Sequence, residues 1–171
     1  GIVEVLSMPF SGYELMNALN NTATRYRATA PSAMSRSSVV SSGKGGVGRT
    51  TIAYNLAVSV GQMAGVRVVL IDGDLQFGDL RGLLRVPDTA PSILQLPTDR
   101  IAESDLASVL WRDPSGIDLL LAPPRVEQAE MITSRDMEKV ISLLRRIYNV
   151  VVIDSPPAIT DTTLAYLDDA D

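Results

Sequence analysis

Residues 41–51 read SSGKGGVGRTT, and they join a short apolar run to a helical pattern. Gly43 and Gly48 have the spacing of a phosphate-binding loop, in which glycines let the backbone turn tightly and bring N–H groups close to phosphate oxygens. A Gly- and Ser-rich turn without a ligand is the plain alternative, but four glycines, a threonine and the strand–helix context together favour a nucleotide site. The predicted phosphate ligands are Gly43, Lys44, Gly45, Gly46, Val47, Gly48, Arg49, Thr50 and Thr51.

Three aspartates follow two other apolar segments. Asp72 and Asp74 come after the run VVLI, and Asp154 comes after VVVI. Ligands of parallel α/β sheets bind outside the carboxyl ends of the strands, so we expect these acids at the same edge as the loop. Aspartate is common wherever strands end, but beside such a loop it is typical of a Mg²⁺ site. The predicted metal ligands are Thr50, Asp72 and Asp154.

Strand-like and helix-like segments alternate along the chain, which predicts an α/β fold with a doubly wound, mainly parallel sheet. Continuous apolar runs indicate strands that are covered on both faces. One helix is predicted from Thr50 to a stop at Gly65, and another over 135–148. The four predicted strands are 38–41, 66–71, 117–122 and 150–153.

Composition limits the classes of function. The 171 residues carry a net charge of −5, which argues against non-specific binding of nucleic acid over a broad surface. Cysteine and histidine are both absent, so disulfides, thiolate metal sites and imidazole catalysis are excluded. No apolar run reaches the roughly 18 residues of a membrane span, and no signal peptide is evident, so a cytoplasmic location is expected.

The first 37 residues differ from the rest. The run 2–6 predicts a strand, and Ser11 with Glu14 three residues later predicts a capping box at the start of a helix. Residues 21–37 are rich in Thr, Ser and Ala without a period, which indicates a linker. The main domain is therefore predicted to span 38–171.

The segment KGGVGRTT resembles the K-G-G-x-G-K-T-T motif of the ParA/MinD family of deviant Walker A ATPases. The resemblance implies a P-loop NTPase fold, Mg²⁺–ATP as ligand and a nucleotide-dependent homodimer. It implies that Lys44 reaches the partner's phosphates and that Asp74 positions the attacking water. Asp154 matches the Walker B acid, and Asp72 would support Mg²⁺ or the local structure. Lys44, Arg49 and Asp74 are thus the predicted catalytic residues.

Three longer stretches, LIDGDLQFGDL, LLLAPPRVEQAE and VVIDSPPAITDTTLAYLDDAD, are similar to the CpaE/TadZ branch of that family. This branch places and assembles Flp/Tad-type pili, so the resemblance implies pilus or secretion proteins as partners. It also implies a position at the inner face of the membrane or the cell pole through indirect association. Residues 1–20 resemble the tail of a degenerate receiver domain, with Met8-Pro9 where receivers carry Lys-Pro.

Two further segments bear on the resemblance, one after the second predicted strand and one at the end of the given sequence. Gln76 and Asp79 lie in a segment that resembles a switch sensing the γ-phosphate, although polar turn residues are an equal alternative. The chain ends at LDDAD, where the family continues into another strand, so we expect a C-terminally incomplete domain.

Arg49 stands where the family has lysine. Arginine keeps the positive charge and can bind phosphate through two N–H groups, but it is larger and planar, whereas lysine is a compact point charge. Arg49 could hold ATP while Lys44 supplies charge, or it could leave hydrolysis slow. Of the two, binding with slow turnover is favoured.

Three functions follow from these patterns. The first is a slow ATPase that positions pilus machinery. The second is a non-catalytic scaffold that keeps the nucleotide fold only for its surfaces. The third is a DNA-partition ATPase of the same fold, against which the acidic composition argues.

Overall fold

The computed structural model describes residues 11, 13–15, 17–18, 21, 35–97 and 101–171. Within these residues five strands form one sheet in the order β1-β5-β2-β4-β3. Every neighbouring pair is parallel except β3 and β4, which are antiparallel. The predicted α/β fold with a mainly parallel sheet is confirmed. The strands are β1 (Arg36–Val40), β2 (Val68–Asp72), β3 (Leu110–Arg112), β4 (Asp118–Leu120) and β5 (Val150–Asp154).

Helices connect the strands. The first, α1, ends at Gly65 in the left-handed conformation with φ 62°, as the sequence predicts. The fifth, α5, begins after Thr133, whose hydroxyl accepts a hydrogen bond from the Asp136 backbone N–H. From residue 35 onward the described helices are α1 (Arg49–Ala64), α2 (Leu80–Leu83), α3 (Glu103–Val109), α4 (Val126–Ala129), α5 (Ser134–Ile147) and α6 (Asp161–Asp168), and Ile93–Gln95 form a 3₁₀ turn.

Both faces of the sheet are buried, which explains the continuous apolar runs. Successive strand residues point to opposite faces. Val69 and Ile71 therefore belong to one cluster with residues of α3, α5 and α6. Val68 and Leu70 belong to a second cluster with residues of α1. This doubly covered sheet holds the carboxyl ends of β1, β2 and β5 at one edge.

The prediction of four strands is wrong, because the described sheet has a fifth strand. Leu110–Arg112 form an additional edge strand in which Trp111 pairs with Leu119. Three residues are too few to show a period, and their extended conformation depends on pairing with β4. Strand β1 also begins at Arg36, two residues before the predicted start, because its backbone pairs with the first residue of β5.

The predicted capping box near the N-terminus is confirmed. The Ser11 backbone N–H and hydroxyl donate to Glu14 Oε2 at 2.6 and 2.8 Å, and the Glu14 N–H donates to Ser11 Oγ at 3.2 Å. The predicted strand at 2–6, Met8-Pro9 and most of the predicted linker lie outside the described residues, and the domain bounds stay predictions. In the part of the chain that is described, no helix has the length and apolar character needed to cross a bilayer.

Candidate functional site

The glycine-rich loop leads from β1 into α1 with the geometry of an anion site. Gly46 and Gly48 have φ values of 74° and 83°, which side-chain-bearing residues rarely adopt. Helix α1 begins at Arg49 with no side-chain cap and no acidic residue in its first turn. Its first N–H groups and the positive end of its dipole are therefore available to an anion at the loop.

A cleft of about 460 Å³ opens beside the loop. On one side it is lined by loop residues, and on the other by the segment that follows β2. Asp79 is among the lining residues, whereas Gln76 is exposed outside that lining. The fold thus brings the predicted phosphate loop and part of the predicted switch together. The lining residues are Gly46, Gly48, Arg49, Thr50, Thr51, Asp79, Gly82 and Leu83.

Asp72 and Asp154 end neighbouring strands and lie directly opposite each other in the register. Their exposed fractions are 2% and 1%. Burial raises the pKa of the Asp72 carboxyl well above its usual value, and the nearby charge of Asp154 raises it further. Burial also raises the pKa of Asp154, while hydrogen bonds from the Thr50 hydroxyl and the Arg49 guanidinium lower it. Two of the predicted metal ligands, Thr50 and Asp154, are therefore in contact.

The carboxyl group of Asp72 is only partly satisfied. Its Oδ2 accepts a hydrogen bond from the Leu80 backbone N–H at 3.4 Å, and its Oδ1 is buried without a hydrogen-bond partner among the described residues. Buried polar atoms normally have partners, and Mg²⁺ takes oxygen ligands. An orphaned carboxylate oxygen on Asp72, beside the Asp154 that the Thr50 hydroxyl contacts, fits such an ion.

The protein's own donors do not complete a cation site. Over residues 35–97 and 101–171 and the few described residues before them, no group of three or more acidic side chains converges as a metal site. Mg²⁺ usually keeps only one or two carboxylates and takes its other oxygens from substrate phosphates and water. The residues therefore fit a nucleotide-bound Mg²⁺ rather than a metal held by protein alone.

Arg49 contacts two of the predicted functional acids. Its Nε lies 3.0 Å from Asp154 Oδ1, and one of its terminal nitrogens lies 3.8 Å from Asp74 Oδ2. The Arg49 side chain is 10% exposed, so this ion pair is largely shielded from water. Sequence reasoning gave Arg49 a phosphate-binding role and did not foresee this contact, although an arginine fork suits carboxylates as well as phosphates.

Lys44 is exposed on the loop, and Thr51 is exposed in the first turn of α1. No hydrogen bond or ion pair joins the Lys44 side chain to the portion of the chain that is described. Asp74 lies elsewhere in the site, where its Oδ1 accepts a hydrogen bond from the Phe77 N–H at 3.0 Å. Of the three predicted catalytic residues, Arg49 lies 3.8 Å from Asp74, whereas no ion pair joins Lys44 to Asp74 within the described part of one chain.

Sequence reasoning missed Gly73 and Tyr166. The Gly73 N–H donates to the Asp154 carbonyl at 2.8 Å, and the Gly73 carbonyl accepts from the Tyr166 hydroxyl at 3.2 Å. The pattern Asp-Gly-Asp could have indicated a close backbone approach at Gly73. Tyr166 lies 93 residues further along the chain, and no local signal marks it.

Replacing Gly73 with alanine is expected to destabilise the domain. A Cβ atom there would lie 2.7 Å from the Asp154 carbonyl oxygen and 2.8 Å from Tyr166 Cε2. Overpacking of this kind costs about 1–3 kcal/mol, which urea denaturation measures as a lower midpoint. Gly82→Ala is the matched control, because nothing lies within 4 Å of its Cβ position in α2. Equal midpoints for the two variants would contradict the close packing around Gly73.

Comparison with known proteins agrees with this geometry. Residues 35–171 match the AAA_31 family, described as an AAA domain. The chain belongs to this family. It is 38% identical over 130 residues to a putative septum site-determining protein MinD of Mesostigma viride. The aligned residues make up 72% of this chain and 43% of the relative. The chain spans about half the length of the curated relatives that it matches.

Solved structures give the same placement. The ParA family ATPase of Chlorobium tepidum superposes with a TM-score of 0.71 at 26% identity, over 80% of this chain and 57% of that chain. The septum site-determining protein MinD of Pyrococcus horikoshii, solved as a complex with Mg-ADP, superposes with a TM-score of 0.68 at 26% identity. The superposition covers 80% of this chain and 55% of that chain. The chain is thus a P-loop domain of the ParA/MinD type.

Proposed function

We propose that this domain binds Mg²⁺–ATP, hydrolyses it slowly and dimerises when ATP is bound. The observation that carries the proposal is the meeting of three features at one sheet edge: the glycine loop, the uncapped start of α1 and the buried pair Asp72 and Asp154. The loop and the helix start supply N–H donors for phosphate oxygens, and the acids supply oxygens for a cation. The Mg-ADP complex of the Pyrococcus horikoshii neighbour supports the same ligand class.

Each part of the site has a role in this proposal. Residues 43–51 hold the phosphates, Thr50 and Asp154 hold Mg²⁺, and Asp72 supports the ion. A Mg²⁺ ion held by these residues would neutralise negative charge that develops on the phosphate oxygens. Asp74 orients the attacking water, and its bond from the Phe77 N–H fixes the carboxylate in position.

Slow turnover is proposed because of Arg49. Its guanidinium bonds Asp154 and lies within reach of Asp74, the two acids assigned to the cation and to the water. A side-chain cation held by Asp154 competes with Mg²⁺ for the same carboxylate. The family's lysine has a single compact charge and cannot form the same fork.

Dimerisation is proposed from the family resemblance, with Lys44 acting on the partner's phosphates. The exposure of the Lys44 side chain supports this role. Leu83 in the cleft lining and Phe77 in the segment after β2 also expose 47% and 69% of their surface, as residues at a protein interface do in an isolated chain. These exposed side chains are accessible to a second copy of the chain that approaches the nucleotide.

The test is ATP turnover and oligomeric state of the full-length protein, measured beside Lys44→Ala. We expect wild type to release phosphate and to form a dimer with Mg²⁺–ATP, and we expect the variant to bind ATP as a monomer. A wild type that binds ATP without turnover would instead support a non-catalytic scaffold. An ATP-dependent, salt-sensitive shift of DNA in a gel would support the DNA-partition alternative.

We further propose that the ATPase positions or helps to assemble Flp/Tad-type pili, with residues 1–20 as the tail of a degenerate receiver domain, 21–37 as a linker and 38–171 as the ATPase domain. The support is the sequence resemblance to the CpaE/TadZ branch. Deleting the gene in the source organism should remove these pili from electron micrographs. Normal pili in the deletion strain would overturn the assignment.

A further inference from the structure

We infer that Tyr166 is a positioning residue of the nucleotide site, acting through the Gly73 peptide on Asp72 and Asp74. The inference rests on the proposed function, because it assigns those two acids to Mg²⁺ and water. Tyr166 is fully buried in α6, outside the loop and the strands that carry the predicted site residues.

Gly73 is fixed from three directions, through the peptide group on each side of it and through its Cα atom. Its N–H donates to the Asp154 carbonyl at 2.8 Å, and its carbonyl accepts from the Tyr166 hydroxyl at 3.2 Å. The Tyr166 ring also packs so closely on Gly73 that a Cβ atom would lie 2.8 Å from Cε2. These two peptide groups link Asp72 to Asp74, so their orientation contributes to the direction of both carboxylates.

Tyr166 is itself held in place by the start of α6. The Thr160 hydroxyl accepts a hydrogen bond from the Thr163 N–H at 3.2 Å, and the Thr163 hydroxyl donates to the Ala158 carbonyl at 2.8 Å. The segment after Asp154 therefore leads into α6, and α6 places Tyr166 against Gly73 at the end of the neighbouring strand β2. Loss of the tyrosine hydroxyl would leave the Gly73 carbonyl free to rotate.

Small displacements of a reacting group are costly to catalysis, since about 1 Å can lower a rate about 100-fold. Among the described residues, the hydrogen bonds of Gly73 go to Asp154 and Tyr166 and not to the loop at 41–48. Removing the Tyr166 hydroxyl should therefore reduce turnover more than nucleotide affinity. A residue that only stabilised the fold would not separate these two quantities.

The experiment compares Tyr166→Phe with Tyr148→Phe in the full-length protein. Tyr148 is the matched control because its hydroxyl donates to Asp118 Oδ2 at 2.8 Å near the amino ends of β4 and β5, away from the site. Both variants keep the ring and lose one hydroxyl hydrogen bond. We expect Tyr166→Phe to lower kcat about tenfold or more with unchanged KM, and Tyr148→Phe to keep the wild-type kcat.

Equal kcat values for the two variants would overturn the inference. If the wild type itself does not hydrolyse ATP, the proposed function fails separately, and amide hydrogen exchange of residues 73–77 decides the inference. Faster exchange in Tyr166→Phe than in Tyr148→Phe would support the positioning role. Equal exchange in the two variants would overturn it.

Discussion

Replacing Asp74 with asparagine is expected to lower ATP turnover about 100-fold or more while ATP binding persists. Asparagine keeps the shape of the side chain and an oxygen that can accept the Phe77 N–H, so the local turn should survive. What disappears is the negative charge to which we assign the orientation of the attacking water. Phosphate release at saturating Mg²⁺–ATP measures kcat, and calorimetry measures the retained affinity.

Asp88→Asn is the control for this change, because Asp88 is an exposed turn residue outside the cleft lining. Its turnover should match that of the wild type. An Asp74→Asn protein with wild-type kcat would remove Asp74 from the reaction. Loss of ATP binding in the same variant would place Asp74 in nucleotide binding rather than in water positioning.

Replacing Arg49 with lysine is expected to raise kcat about tenfold, which corresponds to about 1.4 kcal/mol of the barrier. The lysine ammonium lacks the planar fork with which the guanidinium lies 3.0 Å from Asp154 and 3.8 Å from Asp74, so lysine should hold the two acids less firmly. Both acids would then be released to Mg²⁺ and water, and the compact charge would suit the β- and γ-phosphate oxygens. The measurement is kcat as a function of Mg²⁺ concentration, where the variant should saturate at lower Mg²⁺.

Arg145→Lys provides the matched control for this substitution. Arg145 also bonds the chain through its guanidinium, to the Asp169 carbonyl at 2.9 Å and to Asp171 at 3.2 Å, but it lies on α5 outside the cleft lining. Its kcat and Mg²⁺ requirement should equal those of the wild type. If Arg49→Lys leaves hydrolysis and Mg²⁺ dependence unaltered, Arg49 does not limit turnover.

The parts of the fold that could be predicted are those encoded locally. Strands β2 and β5 are apolar runs that end in aspartate, and their observed bounds lie within two residues of the predicted ones. The stop of α1 at Gly65 follows from the ease with which glycine adopts the left-handed conformation. Edge strand β3 could not be predicted, because three residues become a strand only through pairing with β4.

The site likewise has features that are encoded locally and features that depend on the packing of distant segments. The loop and the acids are recognisable from spacing, and the parallel sheet brings them to one edge as expected. The Arg49 contact with Asp154 joins residues 105 apart in sequence, and the Tyr166 contact with Gly73 joins residues 93 apart. Neither contact has a local signal, since each depends on how distant elements pack.

The most direct test of the central claim, that residues 43–51 form a working nucleotide site, is a calorimetric titration of the full-length protein with Mg²⁺–ATP. The account predicts saturable binding of one nucleotide per chain, weakened when Mg²⁺ is removed by a chelator. Absence of binding heat over a range of temperatures, in a protein shown to be folded by circular dichroism, would contradict it and leave the loop as a structural turn.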